Sequence, residues 1–171
     1  MGAGKTTVGK LLAERLNREF IDTDVLIEKR ENASINDIFA LKGERYFREI
    51  ETEQLLIASG FSPAVIATGG GALIADCNLR IIQNTGVSVY LEVSPASLIK
   101  RINIETRPLL KDLNTEELLK KINNLLDERE KRYNLCDKKI KTDNLTVEQT
   151  VELLIDFISE RWKLWIFVVQ K

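Results

Sequence analysis

Gly2-Ala3-Gly4-Lys5-Thr6-Thr7 is followed at once by a helical stripe of Val8, Leu11, Leu12 and Leu16. A glycine-rich turn entering a helix is a phosphate-binding arrangement. The glycines let backbone N–H groups close on phosphate oxygens at the positive end of the helix, Lys5 neutralises the β/γ charge, and Thr6 offers a hydroxyl to Mg²⁺. The segment carries only the GK[ST] end of the GxxxxGK[ST] pattern. The other glycine would stand five places before Gly4, ahead of the first residue, and the apolar strand that normally feeds such a loop is not seen before it. A frayed glycine-rich end before an ordinary helix is the plainer alternative.

Working outward, apolar positions alternate between helical and strand periods, which predicts an α/β domain with parallel strands. Phe20 and Ile21 form a short strand ending at Asp22. Ser34, with Asp37 three residues on, predicts a helix N-terminus, and Gly43 its end. A second helix runs from about Glu44 to Ser59. Ala64–Thr68 is a buried strand stopped by Gly69-Gly70-Gly71, and Val87–Val93 is the clearest strand of all. Ser94-Pro95 caps a helix. A long helix reaches about Tyr133, Lys139–Thr142 forms a short strand, and Thr146 with Gln149 is a capping box for a last helix.

Composition narrows the chemistry. The 171 residues hold 25 Lys plus Arg, 26 Asp plus Glu and no histidine. Catalytic pairs or zinc sites built on His are excluded, so proton transfer falls to carboxylate, Lys, Tyr, Cys or water. Near-zero net charge argues against nucleic acid or an anionic membrane as partner. Two cysteines 59 positions apart, Cys77 and Cys136, make no disulfide framework and suggest a reducing compartment. No stretch approaches the ~20 apolar residues of a membrane span.

Further groups suit phosphoryl transfer. Asp22 and Asp24, two apart at a strand end, project the same way, although either also suits a helix N-cap. Arg48 lies in Phe47-Arg48-Glu49-Ile50-Glu51 and could equally make an i,i+3 pair with Glu51. Three glycines after a buried strand indicate close backbone approach. Arg107-Pro108 lies in the irregular stretch from Glu105 to Asn114. Arg129 and Tyr133 sit on a charged helix, where Tyr133 reads as packing.

In this order and spacing the set resembles shikimate kinase, a P-loop fold of the nucleoside-monophosphate-kinase type, over about residues 1–161. The resemblance implies a three-layer α/β fold around a parallel sheet of order 2-3-1-4-5, counting as first the strand before the phosphate loop, which this chain is expected to lack. It implies ATP-dependent phosphorylation of the 3-hydroxyl of shikimate, in the route to chorismate and the aromatic amino acids. Gly2, Ala3, Gly4, Lys5, Thr6 and Thr7 would hold ATP, Thr6 and Asp22 the Mg²⁺. Asp24 would bind shikimate hydroxyls and accept the proton. Arg48 and Arg129 would clamp the carboxylate, which suits planar guanidinium, and Gly69, Gly70 and Gly71 would line the pocket. Arg107, in a lid at about 101–114, would close on the transferring group. Arg101 would stack on adenine, with Lys100 competing for that role. A cytoplasmic monomer is expected. The alternatives are a gluconate-type or other small-molecule kinase of this fold, or a catalytically dead nucleotide-binding module.

Residues 162–171 stand outside the resemblance as an atypical apolar tail holding both tryptophans. Three readings fit it: an aggregation-prone end, a partner contact, or a strand that fills the empty central slot of the sheet.

Overall fold

The computed structural model describes residues 4–61, 63–101, 115–159 and 165–170. Within them the chain forms α1 (Lys5–Arg15), β1 (Glu19–Asp22), α2 (Thr23–Glu31), α3 (Ile35–Ser59), β2 (Ala64–Ala67), α4 (Asp76–Thr85), β3 (Gly86–Glu92), α5 (Pro95–Arg101), α6 (Thr115–Tyr133), β4 (Lys138–Lys141), α7 (Val147–Ser159) and β5 (Trp165–Gln170). A 3-10 turn at Ala72–Ile74 joins β2 to α4.

Local chemistry sets the element ends. Ser34 accepts a hydrogen bond from the Asp37 N–H at 3.2 Å and donates its hydroxyl to the Asp37 carboxylate at 2.6 Å. Thr146 and Gln149 close a reciprocal capping box, at 2.9 and 3.2 Å, ahead of α7. Gly43 does break the helical run, with φ of 80° and ψ of 171°, so α3 is two helical segments across a kink.

The sheet is wholly parallel, in the order β1-β2-β5-β3-β4. Strands buried on both faces read as unbroken apolar runs, as AVIA in β2 shows. One face buries Val65, Val87, Val89 and Leu91 against Val8 and Leu12 of α1 and Val151, Leu154 and Ile158 of α7. The other buries Ile21, Ile66 and Tyr90 against Leu55 of α3, Ile82 of α4 and Tyr133 of α6. The result is helix, sheet, helix.

One expectation needs correcting. Residues 165–170 are not a tail beside the domain but β5, the middle strand. Its backbone pairs with Val65–Ala67 on one side and Gly86–Leu91 on the other. The slot between β2 and β3, expected to lack a strand, is thereby occupied. The physical reason is that two buried strands would otherwise leave a row of backbone donors and acceptors unpaired inside the protein. Among the described residues no helix is long and apolar enough to cross a membrane.

Candidate active site

The site grows from the ends of two neighbouring strands and the start of α1. Gly4 takes φ of 82°, a left-handed conformation that costs glycine little, and so turns the chain into α1. That turn places Lys5 and Thr6 beside the end of β1. The Lys5 ammonium donates to Asp24 Oδ2 at 3.0 Å and lies 3.6 Å from Asp22 Oδ1. The Thr6 hydroxyl donates to Asp22 Oδ2 at 3.0 Å.

Asp22 has two tasks. It caps α2, its Oδ1 accepting from the Asp24 N–H at 3.1 Å, and its other oxygen holds Thr6. The cap therefore occupies one oxygen of Asp22, and the other faces Thr6. Thr23, between the two carboxylates, is buried and donates to the Ala67 carbonyl at 3.3 Å, tying the end of β1 to β2.

Beyond β2, each of three consecutive glycines meets a different site residue. A Cβ at Gly69 would sit 3.0 Å from both Asp24 Oδ1 and Glu51 Oε1. The Gly70 carbonyl accepts from the Tyr133 hydroxyl at 2.7 Å. A Cβ at Gly71 would stand 2.8 Å from Arg48 Cζ. A side chain at Gly69 or Gly71 would thus have to displace the end of Asp24, Glu51 or Arg48.

Arg48 makes the i,i+3 pair with Glu51, at 2.8 Å, and a second pair with Glu44 at 3.1 Å. These do not take it from the site, because its guanidinium still lies over Gly71. Burial works against its charge, but Glu51 and Glu44 outweigh that and hold its pKa above the ordinary value. For Glu51, burial wins: its side chain is 2% exposed, and its carboxyl is pushed above the usual range although Arg48 pulls the other way. Three buried polar atoms have no hydrogen-bond partner here: Glu51 Oε1, Arg129 Nε and Thr68 Oγ1. Unpaired buried polar groups are costly, so a cluster of them at a strand end marks a place for a polar ligand.

Tyr133 is more than packing. It stacks on Tyr90 with ring centroids 4.6 Å apart while its hydroxyl holds Gly70, and burial raises its pKa against the pull of Arg129. Glu51 and Tyr133 both end short motifs, Phe47-Arg48-x-x-Glu51 and Arg129-x-x-x-Tyr133, but the motifs do not show that Glu51 is buried or that the Tyr133 hydroxyl reaches Gly70.

The structure brings together Gly4, Lys5, Thr6, Asp22, Asp24, Arg48, Gly69, Gly70 and Gly71. Arg129 joins them on electrostatic grounds, its charge acting on Glu51 and Tyr133. Thr7 is exposed on α1. Gly2, Ala3 and Arg107 lie outside the described residues, as do the side chains of Lys100 and Arg101 at the end of α5.

Thr6 and Asp22 fit Mg²⁺: a hydroxyl and a carboxylate oxygen 3.0 Å apart, next to a phosphate-binding lysine, match a hard cation that keeps waters and takes its other ligands from substrate phosphates.

Comparison with known proteins agrees with this geometry. The shikimate kinase family profile matches residues 1–159. The chain is 41% identical to the shikimate kinase of Sulfurihydrogenibium sp., over 94% of this chain and 95% of that one. It is 44% identical to the shikimate kinase of Geobacter sulfurreducens, over 94% and 87%. In three dimensions it resembles the crystal structure of shikimate kinase from Bacteroides thetaiotaomicron, with a TM-score of 0.87, 35% identity and coverage of 93% and 94%. It also resembles the Acinetobacter baumannii shikimate kinase in complex with shikimate, with a TM-score of 0.85, 36% identity and coverage of 95% and 91%. With its phosphate loop, paired aspartates and glycine floor in one crevice, this chain belongs to the shikimate kinase family.

Proposed function

We propose that this crevice transfers the γ-phosphoryl group of ATP to the 3-hydroxyl of shikimate, giving shikimate 3-phosphate and ADP. One observation carries the reading: Asp24 and Arg48 meet one glycine floor, and Asp24 is at the same time paired with Lys5 at the start of α1. Phosphoryl transfer depends on positioning and charge neutralisation, which lysine, arginine and aspartate supply without histidine.

Lys5 and the loop backbone hold the ATP phosphates, with Thr7 and the residues before Gly4 completing the loop. Thr6 and Asp22 would hold Mg²⁺, which when bound would supply neutralising charge to those phosphates. Arg48 and Arg129 take the shikimate carboxylate, a planar anion matched to guanidinium. Asp24 binds the ring hydroxyls. As the 3-hydroxyl oxygen bonds to the γ-phosphorus, the bond to the β-phosphate oxygen breaks, and Asp24 accepts the hydroxyl proton. Lys5 lies 3.0 Å from Asp24, which sets the proton acceptor directly beside the group that holds the phosphates. Arg107 would neutralise charge on the transferring group and Arg101 would stack on the adenine, Arg107 and the Arg101 side chain lying outside the described residues. Both cysteines are free, which suits the reducing cytoplasm, where the enzyme acts as a monomer on small molecules.

The test offers the purified chain ATP and Mg²⁺ with shikimate, gluconate or a nucleoside monophosphate, and measures ADP. Release only with shikimate is expected. Release with gluconate alone, or no release with any acceptor from a demonstrably folded chain, overturns the reading.

A further inference from the structure

The site residues divide between two halves of the sheet. β1 and β2 lead into Asp22, Asp24 and Gly69–Gly71, and α3 brings Arg48 to the same side. Arg129 and Tyr133 come from α6, whose Tyr133 stacks on Tyr90 of β3. Only β5 stands between β2 and β3. Its register aligns them: Val168 is opposite Ala67 on one side and Val89 on the other. Because every strand is parallel, β5 also runs toward the edge of the sheet where the phosphate loop opens, and α1 packs over both β2 and β5.

We propose that residues 165–170 of the same chain are the positioning element of this site. They fix the offset between the half carrying Asp24 and Arg48 and the half carrying Arg129, and they support the start of α1, where Lys5 and Thr6 bind phosphate. The proposal rests on the kinase reading for its substrate but not for its nucleotide measurement. The neighbouring residues make the dependence strong. Val65, Ile66, Ala67, Val87, Val89, Tyr90 and Leu91 are each 1% exposed or less. Water cannot replace β5 on either ladder while these residues stay buried. Pairing set by register also leaves no gradual adjustment, since a slip of one residue reverses every side chain on the strand.

The experiment uses the full chain with Cys77→Ser and Cys136→Ser. Ala67→Cys and Val168→Cys are added as a register pair and oxidised during refolding, neighbouring strands placing such residues within disulfide reach. The expected product is an intrachain disulfide in a monomer that binds ADP within twofold of the uncrosslinked chain. Separately, Val168→Pro removes one ladder donor from the central strand. It should weaken ADP binding at least tenfold, measured by calorimetry without shikimate. Absence of the disulfide, an interchain disulfide, or unchanged ADP affinity in Val168→Pro each overturns the proposal. Where the proline variant unfolds, the disulfide decides. A chain that forms the disulfide and binds ADP yet leaves shikimate unphosphorylated would refute the kinase reading and leave this one standing.

Discussion

Replacing Arg48 by methionine should cost far more stability than a residue on a helix flank usually does, and the cost should depend on pH. Arg48 is 24% exposed, but its partner Glu51 is 2% exposed, and they meet at 2.8 Å. Methionine keeps most of the side-chain bulk and removes the charge. It leaves Glu51 buried with neither oxygen partnered, since Oε1 already has none. Breaking one side of a buried ion pair costs about 3–5 kcal/mol. In a domain of this size that lowers Tm by roughly 6–20 °C, at about 2–4 °C per kcal/mol. Arg129 still favours the Glu51 anion and Asp24 opposes it.

The sign with pH follows from Glu51. Its carboxyl stands above the ordinary value because of burial, with Arg48 holding it down. Removing Arg48 moves it further up. A carboxyl raised by folding contributes its full stability below its unfolded value of about 4.3, and loses that contribution as pH climbs through the folded value. The deficit of Arg48→Met relative to the parent chain should therefore be smallest at the acid end and grow as pH rises toward 8, by at most about 1.4 kcal/mol per pH unit. Urea melts at four pH values measure it. Arg48→Met with Glu51→Gln removes both charges and should recover most of the loss at pH 8. A deficit flat across pH, or a double variant as unstable as Arg48→Met alone, would refute the reasoning.

Two other perturbations separate binding from folding. Gly71→Ala puts a methyl group against the Arg48 guanidinium, 2.8 Å from its Cζ, and should raise the KM for shikimate at least tenfold while ADP affinity stays within twofold. Tyr133→Phe keeps the stack on Tyr90 but releases the Gly70 carbonyl. It should cost about 1 kcal/mol in a thermal melt and lower kcat/KM less than tenfold.

Much of this chain is local in its logic, and that part was open to reading from residue order. Capping at Ser34, Thr146 and Ser94, the break at Gly43, and the glycine turn into α1 depend on neighbours within four positions. The paired carboxylates are also local, but not as a strand pair: Asp22 ends β1 and caps α2, while Asp24 lies in the first turn of α2, and both approach Lys5. The family resemblance rested on such short motifs held in register, and the site assembled around them. What residue order left open are the choices made between distant parts of the chain. An unbroken apolar run marks Leu164–Val169 as strand-like but cannot name its neighbours, since parallel pairing joins residues about 80 to 100 positions apart through backbone groups that every sequence shares. Glu51 reads as half of a surface ion pair, and only the packing of α3 against β2 and the glycine floor makes it a buried, partly unpaired acid. Tyr133 reads as core, and only the crossing of α6 delivers its hydroxyl to Gly70. The sequence by itself determined the chemistry available: a lysine, a hydroxyl, two carboxylates and arginines fit for phosphate and carboxylate. Tertiary structure alone decided which of these groups are dry, which are paired, and which strand holds the two halves of the site in line, because burial and register are set by the whole fold rather than by adjacent residues.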